Sequence, residues 1–232
     1  MTDFHHIYAV QADAYDAMVA AEDYQGNLWT ALNAVRPLAG LDVVELGAGT
    51  GRLTLYLAPL VRQIQAFDQS AHMLSVTDAK LLAAGLTNVR TMVADNAALP
   101  VPSASVDLAL AGWSLGHSCG WYPEIWRTVI GQAVAEMQRV LKPGGTAIIF
   151  ETLGTGSDQP GAPTVSLDAY YQFLEQQYGF TRTVIQTDYR FASPEDAAAK
   201  TRFFFGDELA DRLLAERQAL LPEWTGMWHK HF

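Results

Sequence analysis

The sequence predicts an α/β fold: a mostly parallel central sheet with helices on both faces. Three observations carry that prediction. Between residues 41 and 151, short apolar runs alternate with amphipathic stretches, the pattern of strands buried on both sides by crossover helices. A glycine-rich turn, Gly47-Ala48-Gly49-Thr50-Gly51, joins the first apolar run to the first helical stretch. The apolar runs end in carboxylates or glycine, at the strand ends where open α/β sheets gather their ligands.

Residues 1–40 read as helical, with apolar and aromatic positions at Tyr8, Tyr15, Val19, Leu28 and Leu32. The first strand covers 41–46. Three glycines follow at alternate positions, because a tight turn needs residues without Cβ that accept positive φ and close ligand approach. A helix leaves the loop over 52–60, and a second strand over 63–67 ends at Asp68. Ser70 caps a helix carrying Met73, Leu74, Leu81 and Leu82, which Gly85 closes. The third strand, 88–94, ends at Asp95, and the fourth, 106–111, at Gly112. A long amphipathic helix over 121–141 presents Ile125, Val129, Val134 and Met137 on one side. Pro143-Gly144-Gly145 stops it, and a fifth strand over 146–150 ends at Glu151. Beyond a Gly/Pro-rich loop at 154–163, a helix over 167–178 and a strand over 181–191 are expected. Ser193-Pro194-Glu195 opens another helix with a cap and a first-turn proline. A last helix covers 207–220, and 224–232 reads as a final edge strand.

Composition narrows the function. The 232 residues are 50% hydrophobic and 17% charged, enough to bury a sizeable core. The net charge of −10 removes the general attraction for phosphate that nucleic-acid binding draws on, and no basic cluster offsets it. The single cysteine, Cys119, excludes an intrachain disulfide and a cysteine zinc cage. No apolar run reaches the length of a membrane span, and the N-terminus lacks the pattern of a signal peptide, so a cytoplasmic protein is expected. No metal is expected either. His5 and His6 point apart in any regular structure, and His229 and His231 have no carboxylate near them in sequence.

The glycine loop separates cofactor classes. A dinucleotide fingerprint reads G-x-G-x-x-G and seats a pyrophosphate on the helix N-terminus. Here the spacing is one residue tighter, and Glu45 stands two places before Gly47. That carboxylate would repel phosphate and suits a ligand with an ammonium group.

The pattern E-x-G-x-G-x-G at Glu45, Gly47, Gly49 and Gly51 resembles the first motif of the class I S-adenosylmethionine-dependent methyltransferases. Asp68 follows Gly51 by 17 residues, and the segment Ala94-Asp95-Asn96-Ala97-Ala98-Leu99-Pro100 is similar to the family's acidic segment with a downstream Leu-Pro. Leu141-Lys142-Pro143-Gly144-Gly145 resembles its turn before the fifth strand. The resemblance covers residues 41–151. It implies a Rossmann-like methyltransferase fold in one domain over 1–232: an N-terminal helical cap (1–40), a cofactor-binding core (41–151), and a segment completing sheet and substrate pocket (152–232). It implies S-adenosylmethionine as cofactor, S-adenosylhomocysteine as product, and a small-molecule acceptor methylated at oxygen, nitrogen or carbon by in-line displacement.

Residue by residue, the resemblance places the cofactor against Glu45, Gly47, Ala48, Gly49, Gly51, Asp68, Gln69, Asp95, Asn96, Ala97 and Gly112. Asp68 would accept from both ribose hydroxyls, a role it could equally play for a nicotinamide dinucleotide. Asp95 would accept from the adenine amino group, with the N–H of Asn96 or Ala97 on the ring nitrogens. His117 is the candidate general base, since histidine titrates near neutral pH. Glu151 is a second candidate on the substrate side. Tyr8, Tyr15 and Trp113 are candidate substrate contacts, and Trp121 and Tyr122 could line the same apolar pocket. Members acting on DNA bases or glutamine carry an Asn/Asp-Pro-Pro-aromatic motif at the fourth strand, where this chain has Ala111-Gly112-Trp113-Ser114. A cofactor-binding module without transfer and a nicotinamide-dependent oxidoreductase are the alternative functions.

Overall fold

The computed structural model describes residues 7, 8 and 10–232; His5 and His6 lie outside them. Helices α1 (Ala12–Val19) and α2 (Asn27–Val35) precede the core. The core runs β1 (Asp42–Leu46), α3 (Arg52–Leu57), β2 (Gln63–Asp68), α4 (Ala71–Ala83), β3 (Val89–Val93) and β4 (Val106–Gly112). A 3₁₀ turn (Leu115–His117), the short α5 (Ser118–Trp121), α6 (Trp126–Val140) and β5 (Leu141–Thr155) follow. The remainder is α7 (Val165–Tyr178), β6 (Thr181–Gln186), β7 (Tyr189–Arg190), α8 (Pro194–Phe205), α9 (Asp207–Ala215), β8 (Leu220–Leu221) and β9 (Glu223–His231).

The main sheet has the order β3-β2-β1-β4-β5-β9-β6, with β7 and β8 forming a separate pair. Strands β1 to β5 pair in parallel, while β9 pairs antiparallel with both β5 and β6. The order reverses direction between β1 and β4, which opens a crevice at their carboxyl ends. Alternate residues of each central strand enter opposite cores. Val44, Leu46, Ala109 and Ile149 pack with Ile130, Met137 and Leu174, while Val43, Leu108, Ile148 and Phe150 pack with Leu32, Leu57 and Leu74. A third cluster joins Met18 and Val19 of α1 to Tyr189, Phe191, Ala197, Leu213 and Leu221.

Local chemistry sets several boundaries. Ser70 Oγ accepts from Met73 N–H, Thr164 Oγ1 from Leu167 N–H and Ser193 Oγ from Asp196 N–H, each a side-chain cap on the helix that follows. Gly85 and Gly179 close α4 and α7 in the left-handed region. Behind the strands' amino ends, Lys142 Nζ reaches Asp42 and Asp107 at 3.0 Å, which gives the residue before Pro143-Gly144-Gly145 a pinning role.

Five expectations need correction. The last helix, expected over 207–220, ends at Ala215 and leaves Leu220 to β8. The helix expected over 121–141 starts at Trp126, because Pro123 disfavours a helical Tyr122 and cannot donate to the preceding turn; Ile125 lies outside the helix and is exposed. The fifth strand runs on to Thr155, since its outer side continues to pair with β9. The strand expected over 181–191 breaks after Gln186, where Thr187 bonds Thr225 and Asp188 accepts from Glu223 N–H, turning the chain out of the sheet. β9, expected at the edge, is flanked on both sides, and β6 forms that edge.

Candidate active site

A cavity of about 400 Å³ opens at the carboxyl ends of β1, β2, β3 and β4, within the range of roughly 300–1,000 Å³ typical of ligand pockets. Each wall follows from a strand end. After β1, Gly47, Gly49 and Gly51 take φ of 68°, 56° and 81°, the left-handed values the alternating glycines anticipate. A Cβ on Gly47 would lie 2.4 Å from the Cβ of Ser114, so this glycine also permits the close approach of the β4 loop. The loop's own N–H groups are engaged within the protein. Ala48 donates to Phe67 O at 2.8 Å, Gly51 to Ala48 O at 2.9 Å and Gly49 to Asp68 Oδ2 at 2.9 Å.

Asp68 also accepts from Ser70 N–H at 2.8 Å. Two backbone bonds leave further lone pairs of its carboxylate available. Burial raises its pKa, opposed by those same hydrogen bonds. Glu45 lies buried under the glycine loop and accepts from Thr54 Oγ1 at 2.6 Å. Burial, with Asp68 adding to it, pushes its pKa up to about 8. At β3, Asp95 Oδ1 accepts from Ala97 N–H at 2.9 Å, closing an Asx turn. The Ala97 N–H is therefore engaged by Asp95.

At β4, Gly112 leaves no room for a Cβ, which would sit 2.7 Å from Leu53 Cδ1. Trp113 then adopts φ of 48°, a strained value for a bulky residue. Its N–H donates to Phe150 O at 2.7 Å, and its ring stacks on Phe150 with the Arg52 guanidinium 3.9 Å above. Next comes the 3₁₀ turn. Gly116 N–H donates to Glu151 Oε1 at 2.8 Å, and Tyr170 Oη donates to the same oxygen at 3.3 Å. The His117 ring stacks on Trp121 with centroids 4.9 Å apart, and its Nε2 is hydrogen-bonded to Tyr8 Oη at 2.9 Å. Tyr8 meets Tyr15 edge-on at 5.4 Å, and burial pushes the Tyr15 hydroxyl up to about 12.

The structure thus brings most of the predicted residues together. Glu45, Gly47, Ala48, Gly49, Asp68 and Gln69 line the cavity on one side; Asp95, Asn96, Ala97 and Gly112 continue it; Tyr8, Tyr15, Trp113 and His117 complete it. Trp121 and Tyr122 line it as well. Two predicted residues stand apart. Gly51 is absent from the lining and caps α3, where a Cβ would meet Leu55 and Thr77. Glu151 points into the core beneath the 115–117 turn, 5% exposed, with its pKa raised by burial to about 7. Thr50, Arg52 and Met73 line the cavity without having been singled out. For Arg52 the available signal was a basic residue directly after the glycine loop of an acidic chain.

S-adenosylmethionine can be tested against this site by its unmet polar atoms. Thr50 Oγ1 and Asn96 Oδ1 are buried without a hydrogen-bond partner, and both residues line the cavity. Buried polar groups are normally paired, so such a concentration marks a place where a polar ligand supplies the partners. Carboxylates at the second and third strand ends, with Glu45 behind the loop, match a nucleoside bearing hydroxyl, amino and cationic groups. The residues fit the cofactor. Elsewhere, β9 brings the His229 and His231 rings to 6.1 Å, and no group of three or more His, Cys, Asp or Glu among the described residues is arranged to hold a metal ion.

Residues 43–145 match the family described as a methyltransferase domain. A demethylmenaquinone methyltransferase of Lactococcus lactis is 33% identical over 144 residues, 60% of this chain and 54% of that protein. The ubiquinone/menaquinone biosynthesis C-methyltransferase UbiE of Coxiella burnetii is 30% identical over 155 residues, 63% of this chain and 58% of that protein. The chain spans about half the length of the curated relatives it matches. In fold it is similar to the YcgJ protein of Bacillus subtilis, with a TM-score of 0.61 at 15% identity over 90% of this chain and 98% of that one. Residues 43–145 of this chain are thus similar to a methyltransferase domain, these relatives are named as methyltransferases, and its fold is that of the YcgJ protein.

Proposed function

We propose that the protein transfers a methyl group from S-adenosylmethionine to an oxygen, nitrogen or carbon nucleophile of a small molecule. The single observation that carries this reading is the cavity itself. Glycine loop, strand-end carboxylates and unmet polar atoms converge on one space at the switch point of the sheet. The relatives named for menaquinone and ubiquinone biosynthesis support a small-molecule acceptor, and the net charge of −10 supports it over a nucleic acid. The comparisons lend no support to a nicotinamide-dependent activity. No helix among the described residues is long and apolar enough to cross a membrane; a cytoplasmic site of action is part of the same proposal.

In this reading Asp68 binds the ribose hydroxyls and Asp95 with Asn96 the adenine edge. Gly47, Ala48 and Gly49 give the methionine part its close approach, with Gln69 and Gly112 at its sides. When bound, S-adenosylmethionine supplies a methyl group already activated by a sulfonium. The protein's own work is then to orient the acceptor, exclude water and move a proton. Holding reactants in line contributes roughly 7–11 kcal/mol in well-oriented systems. Tyr8, Tyr15 and Trp113 close the acceptor space. His117, set between Trp121 and Tyr8, accepts the acceptor's proton at a ring nitrogen, a step typically worth about 10²–10⁴-fold. Residues 1–40 cap the cavity, 41–151 hold the cofactor, and 152–232 complete the sheet and the acceptor side. Calorimetry with S-adenosylhomocysteine tests the first half of this reading, and label from methyl-labelled S-adenosylmethionine appearing in a cell-extract metabolite tests the second. Tight binding without any labelled product would instead favour a non-catalytic binding module.

A further inference from the structure

The wall of the cavity contains a single fixed cation: among the described residues that line it, Arg52 is the only lysine or arginine. Its guanidinium is held firmly. Nη1 donates to Glu22 Oε2 at 2.6 Å, and Cζ lies 3.9 Å from the centre of the Trp113 ring. Nη2 has no partner. A guanidinium presents five donors in a fork that can serve two carboxylates at once, and here one branch is satisfied and the other is not.

The surroundings indicate which ligand completes the fork. The ionisable groups that bear on Arg52 are Tyr15, Glu22 and Asp23 from the N-terminal segment, Tyr189 from β7 and Glu223 from β9. All five lie outside residues 43–145, which match the methyltransferase domain. Arg52 thus faces the segments that close the acceptor side of the site. Asp68 and Asp95 line the same cavity, so an anionic acceptor would meet repulsion unless a fixed cation received it. The aromatic rings of Trp121 and Tyr122 supply flat apolar walls.

We infer that Arg52 recognises an anionic oxygen group, a carboxylate or its equivalent, on an aromatic methyl acceptor. Glu22 and Trp113 orient the guanidinium, and Nη2 donates to the acceptor. This inference rests on the cavity being the S-adenosylmethionine site.

The test uses the full chain saturated with S-adenosylhomocysteine. Hydroxybenzoates, aminobenzoates and indole carboxylates, each beside its uncharged carboxamide, are titrated by calorimetry and thermal shift. At least one acid is expected to bind about tenfold or more tightly than its amide, the scale of one charge-assisted hydrogen bond. Arg52→Gln should abolish that preference while leaving S-adenosylhomocysteine affinity within about threefold, and Arg52→Lys should restore part of it by keeping the charge. The inference is overturned if the amides bind as well as the acids, or if no acid binds to protein that holds S-adenosylhomocysteine. It is equally overturned if Arg52→Gln costs about tenfold or more in S-adenosylhomocysteine affinity, which would assign the guanidinium to the cofactor's own carboxylate. Failure of the wild type to bind S-adenosylhomocysteine at all would instead defeat the underlying reading of the cavity.

Discussion

Glu151 offers a measurement in which burial alone decides the outcome. Its carboxyl, in the core beneath the His117 turn, keeps its proton to about pH 7, against an ordinary value of 4.5. Burial is the dominant cause, and the hydrogen bonds from Gly116 and Tyr170 act against it. Because the folded state holds this proton more tightly than the unfolded chain, the contribution to stability is complete below about pH 4.5. It declines as pH rises and is lost above about pH 7. At about 1.4 kcal/mol per pH unit, the whole decline amounts to roughly 3 kcal/mol. Glu151→Gln is nearly isosteric, retains an oxygen to accept from Gly116 N–H, and does not titrate. Urea unfolding of both proteins from pH 5 to pH 8 isolates the group, since Glu45 and Glu223, both pushed by burial above the usual carboxylate range, contribute equally to each. The wild type should lose stability relative to the variant as pH rises, by about 1–3 kcal/mol over that range. A difference constant to within about 0.5 kcal/mol would mean that Glu151 is ionised throughout and that its surroundings do not desolvate it.

Three further outcomes follow from the site. Asp68→Ala should weaken S-adenosylhomocysteine binding by calorimetry, by roughly 1.5–3 kcal/mol for each charge-assisted bond lost, and unchanged affinity would remove Asp68 from the ribose role. His117→Ala should lower turnover about 10²-fold or more with little effect on S-adenosylhomocysteine affinity; equal turnover would exclude it as the base. A cationic ligand beside Glu45, whose pKa lies near 8, should expel its proton. Binding of S-adenosylmethionine at pH 7 should therefore release protons, detected by calorimetry in buffers of different ionisation heat, and Glu45→Gln should reduce the release.

Most of the cavity's glycine-loop side was legible because its chemistry is local. Positive φ at Gly47 and Gly49 follows from glycine's freedom, the Ser70 cap from its reach to Met73 N–H, and the positions of Asp68 and Asp95 from where apolar runs stop. The acceptor side was less legible because distant pairings decide it. Whether 223–231 lies at an edge or inside the sheet depends on β5 and β6 competing for its two sides, and no periodicity within the segment records that. Glu151 looked like a strand-end group facing ligand. In fact β5 runs on past it, and the carboxyl turns inward to the Gly116 amide. The role of Arg52 depends on a left-handed Trp113, and no sequence pattern announces a tryptophan at φ 48°. The Pro123 break was readable from the dipeptide Tyr122-Pro123 and was outweighed by the apolar spacing around it.

The same geometry explains why a tight glycine loop belongs to a sulfonium nucleoside and not to a dinucleotide. A pyrophosphate is held by backbone N–H groups left open at a turn and helix start, with no carboxylate nearby. In this loop the N–H groups of Ala48, Gly49 and Gly51 already donate within the protein, and the Gly49 partner is the carboxylate of Asp68. Glu45 stands behind, bonded to Thr54. A phosphate entering here would have to displace one carboxylate and approach another. A ligand with hydroxyls for Asp68 and positive charge for Glu45 displaces nothing. Gly47 admits Ser114 against bare backbone, and in the proposed reading the ligand takes the same close approach while the strand-end carboxylates select its chemistry.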